Sequence, residues 1–139
     1  MKHNLILRVV SKVLIPILLL FALYVQMHGD FGPGGGFQAG VIAAAGIVLY
    51  SLIFGLKEAQ KAVPPLLVEV GVPLGVLIYA GVGTITWILG GNFLEYGVLD
   101  SHDSAHGQHL GVMLVEIGVL VTVFSTMVAI FYTFAGRGR

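Results

Sequence analysis

Two carboxylates in this sequence sit in apolar surroundings. Glu69 lies in Leu66-Leu67-Val68-Glu69-Val70-Gly71-Val72-Pro73-Leu74-Gly75, and Glu116 lies in Val112-Met113-Leu114-Val115-Glu116-Ile117-Gly118-Val119. An ionisable group at membrane depth is expensive and marks a candidate for ion or proton handling. Pro73 has no N–H to offer the carbonyl four residues back, which belongs to Glu69. A free carbonyl and a carboxylate thus arise at one residue, and Gly71 and Gly75 soften the helix on either side. Broken helices with exposed carbonyls and nearby acids are how transporters bind cations or pass protons. The plainer alternative is a proline kink, with Glu69 snorkelling from about one turn (about 5.4 Å) inside Pro64-Pro65. Glu116 lies about 10 Å from its helix end on the helical rise, where a short side chain snorkels poorly. Its sequence neighbours offer no partner, so one must come from another helix or subunit. The two acids differ in depth by about 10–15 Å and read as two stations, not a dyad.

Histidines form a second group. His102, His106 and His109 are spaced i, i+4 and i+7, with Asp100 and Asp103 among them. On a helix the three share one face. Three such nitrogens can hold a transition metal, but a solvated acidic-histidine loop is the commoner outcome, and no metal is assigned. Between these readings stands a proton-collecting surface of His102, Asp103, His106 and His109, since histidine titrates near neutral pH.

The third feature is His28-Gly29-Asp30-Phe31-Gly32-Pro33-Gly34-Gly35-Gly36-Phe37-Gln38-Ala39-Gly40. No GK[ST] follows it and no strand precedes it, so it is neither a Walker loop nor a dinucleotide fingerprint. The N–H groups at the start of the following helix carry partial positive charge and suit an anion or a neighbouring carboxylate. The alternative is a tight interhelical turn.

The elements that position these groups follow from composition. The chain has 139 residues, 57% hydrophobic and 10% charged, seven Lys+Arg against seven Asp+Glu, and a mean hydropathy of +0.96. Soluble domains are about 25% charged, so the composition argues against a soluble globular enzyme. The absence of cysteine removes disulfides, zinc-thiolate sites and Fe–S ligation by this chain. Zero net charge argues against a nucleic-acid partner. Four windows reach the roughly 20 apolar residues a membrane helix needs: about 9–27, 37–56, 66–89 and 109–134. The expected fold is a single all-α domain over 1–139, a polytopic bundle of four transmembrane helices. No small-x-small cleavage site follows the first window, which reads as a retained helix. Every Lys and Arg falls before or at the start of helix 1, between helices 2 and 3, or after helix 4, placing both termini in the cytoplasm. Gly36, Gly40 and Ala44, and Gly71 and Gly75, recur every four residues; such stripes are expected to seat other subunits, the alternative being packing within the chain's own bundle.

Pro33-Gly34-Gly35-Gly36-Phe37-Gln38-Ala39-Gly40, entered from a His-Gly-acid stretch and followed by Val41-Ile42-Ala43-Ala44-Ala45, resembles the MrpB/MnhB-type component of the Mrp (Mnh) multisubunit cation/proton antiporters. Membrane modules of energy-converting hydrogenases carry a similar segment. The linker Asp30-Phe31-Gly32 departs from the shorter Asn-containing linker of some members. The resemblance implies a heteromeric complex in a prokaryotic cell membrane exchanging cytoplasmic sodium for external protons. Pumping subunits of the complex I type depend on an intramembrane lysine. Helices 2 to 4 have none, which argues against this chain being the pump.

The expected function is therefore a non-enzymatic, cofactor-free accessory subunit, in contact with lipid and with other subunits of an antiporter that carries Na+ and H+. Glu69, Pro73 and Glu116 are the candidates for an ion or proton route. His28, Pro33, Gly34, Gly35, Gly36, Phe37 and Gly40 are the candidates for a structural turn and subunit interface. The alternatives are a purely structural subunit and a membrane module of a hydrogenase or other redox complex.

Overall fold

The computed structural model describes residues 5–29 and 33–137. Asp30, and the terminal bases Lys2 and Arg139, lie outside the described residues. The described residues form α1 (Leu5–His28), α2 (Gly36–Phe54), α3 (Leu56–Ala62), α4 (Pro65–Ile88), a 3-10 turn (Tyr96–Leu99) and α5 (Ser104–Gly136), with no strand among them. All but α3 and the 3-10 turn are long and apolar enough to cross a membrane.

The boundaries have local causes. α2 stops at Phe54 because Gly55 takes φ 103°, a conformation other residues adopt at a cost. The chain re-enters a helix at once, so the stretch read as a polar connection contains α3. That helix buries Ala59 and turns Lys57, Glu58 and Lys61 outward, and Lys61 Nζ lies 2.7 Å from Glu58 Oε1. Pro65 is the first residue of α4, where its missing N–H costs nothing. α5 begins at Ser104, ahead of the apolar run, because the Asp103 side chain accepts the amides of Ala105 and His106. Its 33 residues span about 50 Å, more than a bilayer core requires.

The four long helices stand in a row, α1–α2–α5–α4, with α5 touching both α2 and α4. α4 makes no substantial contact with α1 or α2. The arrangement is thus an open layer, not a closed bundle. Glycines set the spacing. A Cβ on Gly36 would strike the Glu116 carbonyl, and one on Gly40 would lie 3.0 Å from the Leu120 carbonyl. Gly71 faces Ser125, and Gly75 faces Thr122 and the Gly118 carbonyl. The Thr122 hydroxyl donates to the Val72 carbonyl at 3.3 Å across the same crossing. The stripes expected to seat other subunits are instead filled by this chain's own α5. Small residues let helix backbones approach in lipid, and the gain comes from van der Waals packing and interhelical hydrogen bonds.

At the Lys57 end, Ala44, Ile47, Ala59, Val68, Val128 and Tyr132 form the buried cluster. Tyr132 Oη donates to the Val63 carbonyl at 3.0 Å, fastening the α3–α4 link to α5. α4 runs unbroken through Pro73, so of the two readings of this proline the broken helix is the one not seen.

Candidate functional site

Glu116 is where two separate sequence features meet. It lies half-buried on α5, facing the turn between α1 and α2. A Cβ on Gly29 would fall 2.5 and 2.8 Å from the two carboxylate oxygens, and one on Gly35 would fall 2.7 Å from Oε1. Glycine backbone therefore wraps the carboxylate with no room for side chains. Gly35 also has φ 113°, which favours glycine again, and it is the residue that caps the N-terminus of α2. The Gly35 amide donates to the Val25 carbonyl of α1 at 3.1 Å, and Gly34 packs against that same oxygen. The turn is thus stapled to α1 on one side and closed over Glu116 on the other. The first N–H groups of a helix have no intrahelical acceptors and carry partial positive charge. The carboxylate that such an end favours is supplied by this chain's own α5. His28 ends α1 with its ring stacked on Tyr24, centroids 5.4 Å apart. Pro33 and Phe37 are exposed, whereas Gly35, Gly36 and Gly40 are buried.

Glu69 and Pro73 occupy a different place. Both lie on the exposed side of α4, among the exposed Leu66, Val70, Val76 and Leu77. Glu69 makes no hydrogen bond or ion pair among the described residues. Pro73 leaves the Glu69 carbonyl without its helical donor. Glu69 sits near the Lys57 end and Glu116 beside the opposite end, so the structure does not bring the two acids together.

The histidines ahead of and within α5 differ from expectation in one respect. His102 precedes α5, so it shares no helical face with His106 and His109. His102, Asp103, His106 and His109 are exposed, and the segment that leads to them is held by local contacts. Tyr96 lies across Gly107 and Gly111 of α5, and Phe93 lies across Gly83 of α4. Thr86 Oγ1 accepts the Leu94 amide at 3.0 Å, and Glu95 accepts both nitrogens of Asn92. Asp100 accepts the amides of His102 and Asp103, and its second oxygen lies 2.7 Å from His106 Nδ1. The His102 amide first, then His106, holds the Asp100 carboxyl below the usual aspartate range. Among the described residues no three His, Asp or Glu side chains converge as a metal site.

Comparison with known proteins identifies the lineage. A family described as "Domain related to MnhB subunit of Na+/H+ antiporter" matches residues 6–129. The chain belongs to the MnhB family. It is similar to the B-type subunit of the Na(+)/H(+) antiporter of Bacillus subtilis (strain 168), 32% identical over 90% of this chain and 93% of that one. It is also 32% identical to the putative antiporter subunit mnhB2 of Staphylococcus haemolyticus (strain JCSC1435), over 98% of both chains. The mnhB2 subunit of Staphylococcus aureus (strain MRSA252) is 29% identical, again over 98% of both. The matches run nearly end to end, so the likeness extends over the chain and not the glycine turn alone.

Three residues of this MnhB-family chain escape a reading by motif. Gln26 is buried on α1 near the turn, only 5% exposed, and its Oε1 has no hydrogen-bond partner among the described residues. Its sole sequence signal is a polar residue inside an apolar run. Thr122 and Asp100 do their work through backbone atoms distant in sequence or in a turn, and neither spacing announces it.

Proposed function

We propose that the chain is a small multi-pass subunit of a sodium (cation)/proton antiporter in a prokaryotic cell membrane, with both termini cytoplasmic. It helps assemble the complex with other subunits, and Glu116, Glu69 and Pro73 line part of an ion or proton route. The observation that carries this reading is the Glu116 carboxylate enclosed by Gly29 and Gly35 at the N-terminus of α2. Family membership and the two relatives named as antiporter subunits supply the class of transport.

The chemistry is electrostatic. The partial positive charge of the helix end attracts the Glu116 carboxylate. A proton or cation reaching the carboxylate cancels that attraction and loosens the turn from α5. The reverse step re-forms it. Protonation of one group is thereby tied to the position of the α1–α2 link. At the same end of the layer, His102, Asp103, His106 and His109 are exposed and form a surface that gathers protons.

Neutral substitutions test this. Glu116→Gln and Glu69→Gln, each in an assembled complex, should lower sodium/proton antiport in everted vesicles. Intact transport in both, with the complex assembled, leaves a structural subunit. Gly35→Leu should abolish assembly if the turn is architectural, because a side chain there has no room beside Glu116.

A further inference from the structure

We infer that the exposed face of α4 is covered by a transmembrane helix of another subunit that presents a lysine or arginine to Glu69. The inference rests on the antiporter-subunit reading and adds the surface and the chemistry of the partner.

Leu66, Glu69, Pro73, Val76 and Leu77 fall at helical spacing on one side of α4, and all five are exposed. α4 stands at the edge of the row, packed on α5 alone among the long helices. Four of these residues suit lipid or another apolar helix. Glu69 does not suit lipid, because its flanking residues on the stripe are apolar on both sides. Glu69 has no hydrogen bond or ion pair among the described residues, and Lys61, a base of the preceding α3, is committed to Glu58 at 2.7 Å. Pro73 removes the donor for the Glu69 carbonyl, so one residue shows two acceptors on the same surface. A side chain with several N–H donors and a positive charge satisfies both. Charge complementarity therefore selects a cationic helix, and Val76 and Leu77 give that helix an apolar bed.

The test uses the whole complex. A benzophenone amino acid replaces Leu77, which leaves Glu69 intact, and the purified complex is irradiated. The expected adduct joins this chain to another subunit, on a helix with Lys or Arg within one turn of the level of Glu69. An adduct to lipid, to a second copy of this chain, or to a helix without such a residue overturns the inference. In parallel, Glu69→Lys should lower retention of the partner by about thirtyfold or more, the loss on breaking a desolvated charge pair. Glu69→Asp should retain it. Equal retention by Glu69→Lys, in a chain whose helical circular dichroism is unchanged, also overturns it. Co-purification of other subunits with the unaltered chain tests the antiporter-subunit reading separately. If they co-purify and the adduct is missing, the α4 surface alone is misassigned.

Discussion

Glu116 and the glycines around it form one close contact between the α1–α2 link and α5. A carboxylate needs donors or countercharge when it leaves water, and the start of α2 supplies partial positive charge. Only residues without side chains can come that close. Gly35→Ala should therefore destabilise the fold by about 1–3 kcal/mol, because φ 113° is strained for alanine and its Cβ meets the carboxylate. Gly81→Ala in α4 meets open space and should be neutral or slightly stabilising. Thermal unfolding of the two variants in one detergent checks the pair. Asp100 gives a pH prediction. Its folded pKa is depressed, so its contribution is present above the ordinary aspartate range and is lost as pH falls through the lower folded value. A carboxyl-carbon NMR titration should place its midpoint below that of an unstructured aspartate, and His106→Ala should move it upward. At this scale the sequence showed Glu116 and the turn as separate features. Their meeting was not legible, because it depends on which helix faces which.

The crossings of α5 are the element-scale result. Gly71 and Gly75 admit α5 on one side, and Gly36 and Gly40 admit it on the other. Gly75→Val should drive α4 and α5 apart and abolish recovery of folded chain. Thr122→Val should cost only about 0.6 kcal/mol, the average for an interhelical hydrogen bond in lipid. Recovery and melting temperature in detergent distinguish the two. The four long apolar runs were readable from hydropathy alone, since lipid rewards continuous apolar segments. α3 was hidden because Lys57, Glu58 and Lys61 resemble a connection. The early start of α5 was hidden because Gly107 resembles a breaker, when it is the place where Tyr96 and the Asp100 turn approach the helix. Pro73 suggested a break, but α4 absorbs it on its exposed side, where no neighbouring backbone is disturbed.

At the scale of the molecule, an open row of helices has two free edges, α1 and α4. Their exposed side chains are almost all apolar, as expected of surfaces that meet lipid or other subunits. The order α1–α2–α5–α4 was not legible in the sequence, because each helix is apolar around most of its circumference. The distribution of charge was legible. The bases Arg8, Lys12, Lys57, Lys61 and Arg137 all belong to one end of the layer. The positive-inside rule then predicts that reporters fused at either terminus read cytoplasmic, while a cysteine at Asn92 is labelled only from outside.

The most direct measurement is sodium-driven proton movement in everted vesicles carrying the complete complex with Glu116→Gln. Glutamine keeps the size of the side chain and one acceptor oxygen but cannot exchange a proton. With all subunits present at normal levels, antiport should fall by about tenfold or more, a loss that a positioned proton-transfer group readily accounts for. Antiport at the unaltered rate in that assembled complex would contradict the assignment of Glu116 to the route.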